Sequence, residues 1–224
     1  TSVPVVDSEN KRVGIVTIDD VVDIIEAEAT EDIEKMNAIL PTEKSYLKLS
    51  IFDIWKSRIP WLLLLMISAT FTGKIRNIRV ESLASMVILT AFIPMLMDSG
   101  GNAGSQASVS VIRSLSLDEI EFKDTFAVLW KEFRVAVLCG ITLVIANFLK
   151  LLFIDHVAIN IALVVCFTLL MTIIFAKLVG CSLPILSKKI GLDPAVMASP
   201  FITTIVDACS LLIYFQIAGL LLGI

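Results

Sequence analysis

From residue 59 onward the chain is dominated by apolar runs about as long as a lipid bilayer is thick, and this limits the fold more than any other feature. A helix needs about 20 apolar residues to cross a hydrocarbon core of about 30 Å. Inside that core only helices and closed barrels keep every backbone N–H and C=O bonded. Apolar residues make up 57% of the chain and charged residues 18%, and the mean hydropathy is +0.90. An average soluble domain is about half apolar and a quarter charged. Five segments qualify or nearly qualify as spans. The first runs from Ile59 to about Ile78, and the second from near Val80 through LASMVILTAFIPMLM into DSGGNAGSQASVSV. The third is Val135–Ile154, the fourth runs from Val157 through CFTLLMTIIFAKLVGCSLPIL, and the fifth is Ala195–Ile224. The expected fold is an all-α membrane protein with five transmembrane helices.

The basic residues flanking these runs set the expected orientation. The N-terminus and the loops after the second and fourth spans hold Lys44, Lys48, Lys56, Arg58, Arg113, Lys123, Lys131, Arg134, Lys188 and Lys189. The opposite loops hold Lys74, Arg76, Arg79 and Lys150. The N-terminus is therefore expected in the cytoplasm and the C-terminus outside, in a multi-pass protein of the cytoplasmic membrane. Lys74, Lys150 and Lys177 sit close to apolar boundaries, where snorkelling to the interface accounts for them. The net charge of -4 lies mostly in the first fifty residues, and no basic patch suggests nucleic acid. Thr1–Asn10 has neither the basic start nor the apolar core of a signal peptide. Cys139, Cys166, Cys181 and Cys209 lie in apolar runs without metal-type spacing and read as small core residues. His156 reads as a surface residue in a short outer loop.

Residues 1–58 have ordinary soluble composition. VPVVD (3–7) and RVGIVTI (12–18) read as two strands around the turn residues Ser8–Asn10, and Asp19 reads as the N-cap of a following helix. A hairpin and one helix bury too little to fold alone, so the chain is expected to begin partway through a domain. The stretch VPVVDSENKRVGIVTIDDVVDIIEAEATEDI resembles the end of a CBS domain. This gives residues 1–40 as a partial α/β CBS remnant, 41–58 as an amphipathic connector helix and 59–224 as the transmembrane domain. The helix over 19–34 carries Asp19, Asp20, Asp23, Glu26, Glu28, Glu31, Asp32 and Glu34. One reading is a solvated face. The other is a regulatory cluster, with Asp20, Asp23, Glu26, Glu28 and Glu31 as candidates, whose mutual repulsion divalent cations relieve. Magnesium keeps most of its water and takes oxygen ligands, so loosely arranged acids suit it.

Two spans carry polar residues that packing alone does not explain. In SPFITTIVDACSLLIYF (199–215), Asp207 stands in a stretch without Lys or Arg. A charged side chain at a membrane helix centre costs roughly 2.5–3.5 kcal/mol on insertion scales and marks a hydrated path or a paired charge. Four and eight residues before it lie Thr203 and Ser199, on one helical stripe, with Thr204 and Ser210 beside it. Pro200 is expected to remove a backbone donor and leave carbonyls free for water. In the second span Pro94, Asp98, Asn102 and Gln106 follow one another at i, i+4. Gly100, Gly101 and Gly104 permit close helix crossing. Close backbone approach with amide and carboxylate oxygens is what a hydrated cation path requires.

PMLMDSGGNAGSQ (94–106) resembles the second-span motif of the MgtE family of magnesium channels, and SPFITTIVDACSLLIYF resembles its last span, including the Asp. The CBS ending and the charged connector stand in the order that family uses. The resemblance implies a homodimer with five helices per subunit, embedded in membrane lipid. It also implies a pore on the two-fold axis lined by the second and fifth spans, and an N-terminal helical domain with a first CBS repeat ahead of Thr1. Asp207 is then the Mg²⁺ ligand, and Pro94, Asp98, Gly101, Asn102, Ser199 and Thr203 are pore-lining candidates. Ser199 and Asp98 depart from the family pattern, where many members carry Asn and some carry Gly. The implied activity is passive, Mg²⁺-selective uptake gated by cytosolic Mg²⁺, which closes the cytosolic parts and presses the connector onto the pore. The alternative is a secondary active Mg²⁺/Co²⁺ transporter. No span holds a His-metal set, a Ser–His pair or an HExxH signature, so no enzyme is expected.

Overall fold

The computed structural model describes residues 2–42, 48–83, 87–197 and 199–223, and the side chains among them except those of 71, 75–83, 87, 197 and 199. Lys44 and the Ala84–Met86 part of the expected second span lie outside the described residues. Strands β1 (Ser2–Val6) and β2 (Arg12–Thr17) pair antiparallel with Val3 opposite Val16. The Asp7 carboxylate accepts the Glu9 and Lys11 amides at 2.9 Å each, and Asn10 takes φ 63° to close the turn. Helix α1 follows (Ile18–Met36). Its N-cap is Thr17 and not Asp19 as expected from the sequence. The Thr17 side chain accepts from the Asp20 amide and the Asp20 carboxylate accepts from the Thr17 amide, a reciprocal box. The Thr17 hydroxyl and amide hold the Asp20 carboxyl below the usual carboxylate range. The cap's contribution is therefore fully present above the usual carboxylate range and is lost as pH falls on through the lowered value.

Helix α2 runs unbroken from Ile51 to Leu83, with Pro60 inside it, and so takes in the end of the expected connector and the first expected span. The second span is not one helix from Val80. A single turn, α3 (Val87–Thr90), is followed by a break at Ala91 and Phe92 before α4 (Ile93–Ser116). Pro94 occupies the first turn of α4, where a missing N–H costs no helical bond, and this is why the helix starts there. Helix α5 spans Thr125–Phe153, α6 Ile159–Lys189 and α7 Ser199–Leu222. Among the described residues three helices are long and apolar enough to cross a membrane: Phe122–Phe153, Ile159–Lys189 and Pro200–Leu222.

The core lies where α4, α6 and α7 meet, around Leu96, Ile173, Ala176, Ile202, Val206 and Tyr214. Helix α5 packs on α6 and α2 on α7. Leu138, Ile145, Leu149 and Phe153 of α5 remain exposed and form an apolar outer face. Glycine sets the closest approaches. A Cβ on Gly100 would sit 2.6 Å from Thr172 Cγ2 and 2.9 Å from Val206 Cγ1. One on Gly180 would overlap the carbonyl oxygen of Gly104, so α4 and α6 touch backbone to backbone. Cys166 and Cys181 are buried, Cys139 and Cys209 half-buried, and all four are free thiols. His156 is exposed in the loop between α5 and α6 at φ 51°.

Candidate cation path

Along α4 the i, i+4 stripe of Pro94, Asp98, Asn102 and Gln106 is exposed, while Gly100, Gly101, Ala103 and Gly104 behind it are buried. A cavity of about 390 Å³ opens beside that stripe. Pro94, Asp98, Gly101 and Asn102 of α4 line it together with Thr203 and Asp207 of α7. At this cavity the two helices meet at Gly101, whose missing Cβ would lie 3.0 Å from Thr203 Cγ2.

Hydrogen bonds among these side chains decide which oxygens the cavity offers. Asn102 Nδ2 donates to Asp98 Oδ2 at 3.2 Å, which leaves the amide oxygen as an acceptor. The Thr203 hydroxyl donates to the Pro200 carbonyl at 2.9 Å, and the Thr204 hydroxyl to the same oxygen at 3.0 Å. Both hydroxyl oxygens therefore keep lone pairs available. The two threonines share the Pro200 carbonyl. Pro200 itself lies in the first turn of α7, so it breaks no helical bond. Two carboxylates, an amide oxygen and a hydroxyl oxygen make a hard set of acceptors. Among the described residues no three His, Cys, Asp or Glu side chains gather to hold a metal. Two carboxylates are few for a stripped ion but suit one that keeps its water.

Asp207 also lines a second cavity of about 290 Å³ with Thr72 and Gly73 of α2 and Thr204. Asp98 and Asn102 also line a third, of about 540 Å³, with Gln106 and with residues of α5 and α6. Of the residues expected in a pore, Pro94, Asp98, Gly101, Asn102, Thr203 and Asp207 share one cavity. Ser199 opens α7 but its side chain lies outside the described residues.

A charged residue of the spans was misjudged from sequence. Lys177 is 5% exposed, not snorkelling to an interface. Its Nζ lies 3.5 Å from Glu132 Oε2 of α5. The sequence signal was present as Glu132 within the α5 run, but nothing in the spacing pairs residues on different helices.

The acids of α1 are exposed apart from Glu31 and Asp32, which are half-buried, and Glu34. Asp20 is occupied in the helix cap and Glu31 pairs with Lys35. Asp23, Glu26 and Glu28 face solvent. Lys35 also donates to Asp193 Oδ2 at 2.6 Å, a bond across to the loop that leads into α7. The Asp193 bond first, then Glu31, pushes the Lys35 ammonium above its usual range. The Ser116 hydroxyl at the end of α4 donates to Asp32 Oδ2 at 3.2 Å, and Met36 packs against Ile112 and Ala195. The last turns of α1 thus touch the end of α4 and the segment that leads into α7.

The family model described as MgtE, a divalent cation transporter, matches residues 93–217, from the first residue of α4 to within two turns of the end of α7. The chain belongs to the MgtE family. It is 37% identical over 222 residues to the magnesium transporter MgtE of Thermus thermophilus, covering 99% of this chain and 49% of that protein. It is 35% identical to the magnesium transporter MgtE of Bacillus subtilis, over 97% of this chain and 48% of that one. Against the Enterococcus faecalis magnesium transporter MgtE it is 31% identical, over 98% and 48%. The chain spans about half the length of the curated relatives it matches. As an MgtE family member with three long apolar helices, it is a multi-pass membrane protein. The residues matched by the family model include Pro94, Asp98, Gly101, Asn102, Thr203 and Asp207.

Proposed function

We propose that this chain forms the pore of a Mg²⁺ channel that works as a homodimer in the cytoplasmic membrane. In this reading α2, α4, α5, α6 and α7 are the five spans and the N-terminus is cytoplasmic. Magnesium is the ion named for the relatives. One observation carries the reading: Pro94, Asp98 and Asn102 of the exposed α4 stripe and Asp207 of α7 line one cavity, open on the outside of the single chain. A stripe of Asp, Asn and Gln is not tolerated against lipid, so it must face water or a second subunit. A second copy facing it places two Asp207 carboxylates near one axis. Their repulsion is relieved by a cation, and the same field excludes anions. Since Mg²⁺ releases water reluctantly, a wide acceptor-lined site passes it with its hydration shell. A cytoplasm-negative potential then supplies about 4.6 kcal/mol per 100 mV for a divalent ion, twice the single-charge figure.

The purified chain in planar bilayers, under a Mg²⁺ gradient and no other ion gradient, is expected to carry current that reverses near the Mg²⁺ equilibrium potential. A secondary transporter gives no such current without its coupled ion, and that outcome overturns the channel reading.

Helix α1 touches the transmembrane part at places other than the connector. Lys35 links α1 to the loop before α7, and Asp32 links it to the end of α4. A change in α1 driven by Mg²⁺ at its acids therefore acts on α4 directly and on α7 through the loop that leads into it. Partly exposed ion pairs contribute up to about 1 kcal/mol. Lys35→Ala, in the protein carrying the preceding domains that the resemblance implies, should shift half-inhibition by internal Mg²⁺ about two- to fivefold in patch recordings. An unchanged dose response would confine the coupling to the connector.

A further inference from the structure

Lys177 sits three turns short of the end of α6, and a fixed charge so placed in a spanning helix is expensive unless something answers it. Its only ion-pair partner among the described residues is Glu132, at 3.5 Å. Glu132 Oε2 is buried without a hydrogen bond, so the pair is loose and the ammonium keeps donors to spare. Lys177 lines the 540 Å³ cavity, and Asp98 and Asn102 line both that cavity and the proposed cation path.

Without the ammonium this cavity would offer the Asp98 carboxylate, the Asn102 and Gln106 amide oxygens and the Thr142 hydroxyl, with Glu132 behind Lys177. That is a hard oxygen set of the kind divalent ions take. We propose that Lys177 is a tethered cation that holds the place of a metal in the α4–α5–α6 cavity, so that permeating ions meet Asp98 only from the α7 side. The proposal rests on the cation path above. It makes Lys177 a route-determining residue that touches no permeating ion itself.

Mn²⁺ binding to the purified chain, counted by electron paramagnetic resonance, provides the test. Lys177→Gln should bind an additional Mn²⁺ per chain, lost again in Lys177→Gln/Glu132→Gln, while Lys177→Arg keeps the wild-type count. No additional Mn²⁺ in Lys177→Gln overturns the proposal. Where that variant does not fold, because Glu132 is left buried and alone, Glu132→Gln serves instead. It leaves the ammonium unneutralised in the cavity that Asp98 also lines, and half-saturating Mg²⁺ for flux should rise about threefold or more with the maximal rate kept. An unchanged half-saturation there overturns the proposal equally. Wild-type binding that ignores Asp207→Ala would count against the cation path itself. Binding that needs Asp207 but does not grow in Lys177→Gln counts against Lys177 alone.

Discussion

Asp207→Ala should cut Mg²⁺ uptake at least about tenfold while leaving the protein as stable as before or more so. A divalent ion about 5 Å from a carboxylate, at effective dielectric constants between about 80 and 20, gains about 2–7 kcal/mol. A tenfold loss takes only about 1.4 kcal/mol. The same carboxylate is half-buried in a helix that offers it no basic partner, so removing it relieves a desolvation cost. Asp207→Asn keeps shape and an oxygen acceptor but loses the charge, and should behave close to Ala. Uptake is read in a strain that depends on this protein, and stability from thermal unfolding in detergent. Normal uptake by both variants sinks the assignment. Loss of uptake together with a large fall in unfolding temperature would mean that Asp207 serves the fold.

The largest effect on the fold is expected at Gly180. A Cβ there overlaps a backbone carbonyl of Gly104, and neither partner has a side chain that can rotate away. Overpacking of a tight core costs about 1–3 kcal/mol. Gly180→Ala should fall in that range and Gly180→Val at or above its top, with both seen as lower unfolding temperatures. Gly101→Leu makes the opposite kind of change. Its Cβ meets Thr203, with the methyl nearest at 3.0 Å, and Gly101 lines the 390 Å³ cavity that the larger side chain is expected to fill. It should insert and fold, yet conduct poorly. Normal flux in Gly101→Leu would show that ions do not use that cavity.

What could be read in advance follows from range in sequence. The stripe from Pro94 to Gln106 and the pair Thr203–Asp207 obey helical spacing, so each could be drawn on one face before any fold was known. That the two faces meet was suggested by three glycines, which mark a close approach without naming the partner. Gly100 and Gly104 contact α6 as well as α7, and Gly180, in α6, completes the tightest of these contacts. Lys177 was misread because a lysine near an apolar boundary and a lysine buried against Glu132 look alike in one dimension. The cap moved from Asp19 to Thr17 for a local reason. Thr17 and Asp20 stand three apart and satisfy each other's amides, which Asp19 has no partner to match. The interruption at Ala91 and Phe92 had its signal in Pro94, which reads as a helix start as readily as a kink.

That interruption has a consequence for the rest of the molecule. Where α3 stops, the Leu89 carbonyl receives a long 3.3 Å bond from the Phe92 amide and a 2.8 Å bond from the buried Tyr214 hydroxyl of α7. In water such a carbonyl would be solvated at no cost, but within an apolar bundle its partner must come from the protein. A side chain 125 residues away has taken over a duty that an unbroken helix gives to its own main chain. Position 214 is thereby exempt from the ordinary freedom of a core aromatic: a phenylalanine of the same shape would fill the space and still leave the backbone of another helix short of a proton.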